Sequence, residues 1–224
     1  MVDRLLSIGA KSYHLTSEFV PSDTTEFMRP GDDITLSDTV WDDLRVPALS
    51  TKSGGSKIPG TSKLVDDGSG SQGILTYVFD KATEEELYFA VQMPHAWKFE
   101  TAIHPHVHWT PVADGAEGAK VSWGLEYSVA KIGTTFPDST IIYGDTATPN
   151  EDLIANRHYL TEIGDGSGIS MTGVDSVSPM ILCRIFRDAT GAGGTDDYDD
   201  DAALLEIDFH YEIDALGSRD EYTK

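Results

Sequence analysis

The sequence predicts an all-β protein: an antiparallel, jelly-roll-like sandwich of about eight strands, preceded by an extended N-terminal arm. Three observations predict it. From residue 73 onward, segments of strand length alternate apolar and polar residues, the mark of a half-buried strand. Clusters of Gly, Pro, Asn, Asp and Ser separate those segments. Almost no stretch carries the 3.6-residue period of a helix.

Residues 1–72 read as the arm. They are rich in Ser, Thr, Asp, Gly and Pro, with Phe19, Phe27, Met28, Trp41, Leu44 and Val46 as scattered apolar anchors. Within the arm, VWDDLRVP (40–47) has the best local pattern and is expected to dock on the body. Residues 50–72 are a Gly/Ser-rich linker carrying Lys52, Lys57 and Lys63. Such composition buries too little surface to fold alone, so the arm is expected to gain order on a neighbouring subunit and to add little to its own core.

The sandwich domain is placed at 73–224. GILTYVFD (73–80) and ELYFAVQM (86–93) are the first two strands, and KFETAIHPHVHWT (98–110) is the third and longest. KVSWGLEYSVAKI (120–132) alternates throughout, and STIIYG (139–144) is short. RHYLTEIG (157–164) follows a loop-rich region in which Pro149 and Asn150 could open a short helix over 150–157. PMILCRIFRD (179–188) is apolar enough to be central. AALLEIDFHYEID (202–214) closes the set; its parity sends Leu205, Ile207, Phe209, Tyr211 and Ile213 inward and Glu206, Asp208, His210 and Glu212 outward.

Composition narrows the function. Against 16 Lys and Arg stand 38 Asp and Glu, a net charge of −22. Phosphate-rich partners would be repelled, so neither nucleic acid nor an anionic membrane is an expected partner. No segment approaches the ~20 apolar residues of a membrane span, and no targeting segment is apparent. One cysteine, Cys183, allows no internal disulfide and sits in an apolar run as a small core residue.

The stretch TAIHPHVHWTP (101–111) places His104, His106 and His108 at every second position. Period two puts the three imidazoles on one strand face, with Ile103, Val107 and Trp109 on the other. Pro105 cannot donate to a ladder, which suggests an edge strand or a bulge. Successive imidazoles lie roughly 7 Å apart, too far for all three to hold one ion on a straight strand. A pair could do so with a ligand from a second strand, and His210 is one such partner. Without a carboxylate supplied locally, the simpler reading is a polar row that faces a subunit boundary. Trp109 is costly to leave in water, so the histidines turn outward. Assembly would then respond to pH in the range where imidazoles titrate.

Other signals are weaker. The run Asp196, Asp197, Asp199, Asp200, Asp201 resembles the start of a calcium loop, but Ala202 stands where that loop needs Gly and a strand follows. A looser calcium site between loops stays open against a solvated charge run. GSGSQG (68–73) formally matches GxGxxG yet precedes a strand instead of following one, so it is linker. There is no GxSxG elbow and no HExxH helix. No catalytic residue, cofactor or metal ligand is assigned, and an enzyme is not expected. Trp97, in the turn PHAW, is a candidate for exposure.

VWDDLRVPA (40–48), PHAWKFETAIHPHVHWTP (94–111) and DDDAALLEIDFHYEIDALGS (199–218) resemble, as a set, a group of virion proteins of tailed bacteriophages. They cover about a quarter of the chain. The resemblance implies a β-sandwich structural virion protein, foremost a capsid decoration or cement protein that reinforces the shell. It would be assembled in the host cytoplasm and partnered by itself, as a homo-oligomer expected to be a trimer, and by the major capsid protein or other virion proteins. His104, His106, His108, Trp41, Leu44 and Val46 are the candidate interface residues. The alternatives are a tail or head fibre component contacting the host surface, and a cupin-like metal-dependent enzyme using His104, His106 and a partner.

Overall fold

A computed structural model describes residues 39–146, 151–218 and 220–224, together with the backbone of the hairpin formed by β1 (Arg4–Ile8) and β2 (Lys11–Leu15). The arm anchors Phe19, Phe27 and Met28 lie outside the described residues. The remaining strands are β3 (Val40–Pro47), β4 (Lys52–Ser53), β5 (Gly60–Leu64), β6 (Ile74–Phe79), β7 (Glu86–Gln92), β8 (Ile103–Pro111), β9 (Ser122–Ala130), β10 (Thr140–Asp145), β11 (Tyr159–Glu162), β12 (Met180–Arg187) and β13 (Ala202–Ile213).

Two antiparallel sheets face each other. One runs β10-β9-β12-β7-β4; the other runs β11-β8-β13-β6-β5, with β3 also paired to β13. All eight body strands expected from the alternation are present. Their pairing is nested: β6 with β13, β7 with β12, β8 with β11, β9 with β10. First meets last and fourth meets fifth, which is how a chain wraps into a jelly roll. The core between the sheets holds Trp97, Trp109 and Trp123, with Phe79, Leu125, Ile185, Ile207 and Phe209 among them. Trp97 is fully buried against Phe99, not exposed as its turn suggested.

Part of the stretch read as the arm lies on the sheets. Residues 40–64 supply β3, β4 and β5, and Val46 and Ala48 join the core. β3 follows β13 from Val46 opposite Ile207 to Val40 opposite Ile213. The stretch looks poor in apolar residues because one face alone is covered and the rest of its stabilisation comes from ladder hydrogen bonds, which any sequence can make. The short helix that the composition allows over 150–157 does not form among the described residues: 151–157 hold an isolated bridge and a turn, with Asn156 at positive φ.

β13 departs from strict parity once. It pairs β6 over Ala202–Leu204 and β3 over Glu206–Ile213, and its register to β8 slips between Leu204 and Glu206. Leu205 takes up the slip as a bulge. Leu204 is therefore buried and Leu205 is 37% exposed, whereas Ile207, Phe209 and Tyr211 face inward as expected.

Pro105 is not at a sheet edge, since β8 lies between β11 and β13. Its carbonyl accepts a hydrogen bond from the Ile163 N–H at 2.9 Å. The N and C=O of a strand residue point to the same side, so the missing donor falls at the end of β11 and costs no bond to β13.

Candidate functional site: a histidine and carboxylate face on the outer sheet

The outer face of the β11-β8-β13-β3 surface collects the polar residues of four strands. Antiparallel register sets them in rows. Glu162, His106, Asp208 and Arg45 form one row; His104, His210 and Asp43 form the next; Leu160, His108 and Glu206 form a third. The three segments 40–48, 94–111 and 199–218 thus contribute β3, β8 and β13, three adjacent strands of one sheet.

Asp208 is the centre. His106 Nδ1 lies 3.5 Å from its Oδ1, and His108 Nε2 and His210 Nε2 lie 3.5 and 3.4 Å from its Oδ2. Its side chain and that of His106 are more than nine-tenths buried although they sit on the outer face, because the neighbouring rings close over them. His106 and His210 meet edge to face with centroids 4.1 Å apart. Burial works against ionisation of Asp208, but the approach of His106 and the attraction of His108, His106 and His210 outweigh it and hold the carboxyl below its usual range.

The other groups arrange themselves around this centre. His210 Nε2 is 2.9 Å from Asp43 Oδ1. His108 Nδ1 is 2.7 Å from His158 Nε2, and the two rings stack. His104 packs edge to face with Trp41 and is 3.8 Å from Glu162. Arg45 grips Glu206 with two of its nitrogens. A shallow depression of about 330 Å³ lies over Trp41, His104, His106, Glu162 and His210.

The six candidate interface residues divide. Trp41 is 45% exposed, and His104 and His108 are partly exposed. His106 is turned outward but covered. Leu44 is half-buried against the core, and Val46 is in it; Val46 is thus not available surface, because parity sends it inward opposite Ile207. What the sequence reading missed is the carboxylate. Asp208 and Asp43 complete the histidines through register with β8 and β3, and the outward parity of Asp208 beside His210 was the signal that could have found it.

The acidic run is used otherwise. The buried Arg187 guanidinium donates to both Asp196 carboxylate oxygens at 2.7 and 2.8 Å, and to the carbonyls of Phe79, Tyr198 and Asp200. Those contacts occupy all five of its donors. The Asp197 carboxylate accepts the Lys120 N–H, and Asp199 stands in solvent near Lys81. The run is therefore a loop clasped by one arginine.

No family model matches the chain, and no curated protein matches it. One solved structure, described as the structure of infectious bursal disease virus Gx strain, aligns over 95% of this chain at 12% identity with a TM-score of 0.30. This chain spans 45% of that one. At so low a score the likeness carries no argument.

Proposed function

We propose that this protein is a structural component of a virus particle, and most specifically a decoration protein that reinforces the capsid shell of a tailed bacteriophage through subunit contacts. The observation that supports this best is the convergence of the three resembling segments. They are scattered along the sequence but form one continuous outer face on β3, β13 and β8. That face has the make-up of a contact surface: exposed Trp41 on one flank and Leu160 on the other, with histidines and paired charges between. Its partners would be further copies of itself, three around an axis, and the major capsid protein.

A jelly roll by itself does not choose a function. The fibre alternative would use an exposed Trp97 and polar loops for receptor contact; Trp97 is buried, which leaves it the loops alone. The enzyme alternative would need a reacting site over the histidines, and the depression over His104, His106 and His210 is shallow. The test is to tag the protein, purify particles from infected cells and find the tag by electron microscopy, with native mass spectrometry of the free protein alongside. Regular labelling of the head and a homo-oligomer are expected. Absence from particles would overturn the reading, and labelling confined to the tail would overturn its decoration form.

A further inference from the structure

We propose that His106, Asp208 and His210 form a site for a divalent transition-metal ion of the zinc class. One ligand atom from each residue lies within 4.8 Å of the others. His106 Nδ1 lies 3.5 Å from Asp208 Oδ1 and His210 Nε2 lies 3.4 Å from Asp208 Oδ2. Each nitrogen thus stands from one oxygen of the shared carboxylate at close to the separation of about 3.3 Å between ligands of a tetrahedral ion with bonds of about 2.0–2.1 Å.

A second observation points the same way. His106 Nδ1 and Asp208 Oδ1 are buried and have no hydrogen-bond partner. They face each other, yet their geometry is not that of a hydrogen bond. Buried polar atoms are nearly always satisfied, and each orphan asks for an explanation. A cation between them satisfies both. Two nitrogens and one carboxylate oxygen suit zinc, cobalt or nickel; calcium and magnesium prefer a shell of oxygens. Asp43 Oδ1, 2.9 Å from His210 Nε2 and half-exposed, is a further carboxylate beside the group.

The local architecture explains why these three residues qualify and the HxHxH row alone does not. His106 and Asp208 are directly opposite on β8 and β13, and His210 is one diagonal step along β13, within the reach of cross-strand neighbours. His104 and His108 are not in the group whose ligand atoms all lie within 4.8 Å of one another; His108 Nδ1 pairs with His158, and His104 packs against Trp41. The site stands apart from the virion reading: either could fail alone.

The experiment uses the full chain, stripped with a chelator and titrated with zinc chloride by calorimetry, with Co²⁺ as a spectroscopic probe. One zinc per chain is expected at micromolar affinity or better. Co²⁺ should develop visible ligand-field bands that zinc removes. Asp208→Asn and His210→Ala should each weaken binding at least tenfold. His210→Ala is at a partly exposed position and should keep the native circular dichroism spectrum. His95→Gln, a control whose ring pairs with Ser178 and Ser218 elsewhere, should bind like the parent. Absence of stoichiometric binding, or unchanged binding by both folded ligand variants, would overturn the proposal.

Discussion

Phe209→Ala tests the parity of β13 and the depth of the core together. Phe209 is fully buried, lies between Leu44 on β3 and Pro105 on β8, and meets Phe89 of the facing sheet with ring centroids 6.2 Å apart. Burying a side chain of this size contributes about 1.5–3 kcal/mol. The cavity left behind adds about 24 cal/mol per Å³, or about 2 kcal/mol for a void on the order of 80 Å³. The two give a loss of about 3–5 kcal/mol. For a chain of this length, that is a fall in Tm of about 6–20 °C. Urea unfolding followed by tryptophan fluorescence measures it, with an unchanged m-value as the check that the denatured state is the same. Leu205→Ala is the matched control, because Leu205 sits outside on the bulge and should change stability by less than about 0.5 kcal/mol. A Phe209 loss below about 1 kcal/mol, or a Leu205 loss as large as that at Phe209, would refute the strand placement.

Burial pushes the Cys183 thiol up, well above the ordinary cysteine range. The native protein should react with a thiol reagent far more slowly than the urea-unfolded chain, and equal rates at pH 8 would show that the residue is not core. Arg187→Met should cost about 3–5 kcal/mol by leaving Asp196 charged and buried; urea unfolding reads it, and a neutral result would mean that the loop can turn Asp196 to water. Removing residues 1–38 should leave both sheets intact by circular dichroism. Removing 1–72 should give aggregation on size-exclusion chromatography, because the edges of β13 and β6 lose β3 and β5. A monomeric, folded 73–224 fragment would contradict that expectation.

Local patterns in the sequence were enough to locate the body strands. SWGLEYSVA alternates over its own length, ELYFAVQ is a short run of β-formers between turn signals, and neither signal needs knowledge of neighbours. The same parity put Val107 and Trp109 inside and the three histidines outside. The features that escaped notice depend on what lies alongside. β3 reads only as a segment that docks, and β5 looks like linker, because their stability comes from pairing with β13 and β6. Trp97 is covered by the chain end of β13, to which it bridges at Ile213. Leu205 looks like an inward residue until the register change is known. The site escaped for a related reason: Asp208 is 102 positions from His106 by numbering, and only the β8–β13 register sets one opposite the other.

The nested pairing of the jelly roll also orders events in time. The innermost pair, β9 and β10, joins residues 122–145 and can form as a local hairpin. Each further pair encloses the one before it, until Phe79 meets Ala202 in the outermost. Closing a long loop costs chain entropy before its contacts repay it, so such topologies fold slowly. β13 is also the last of these strands to leave the ribosome, and β3, β6 and β8 all wait for it. Until then the half of the sandwich that carries the histidines has three strands with no central partner. The nascent chain is exposed to mispairing for most of its synthesis, and its edges are protected only when residues 202–213 slide between strands already made.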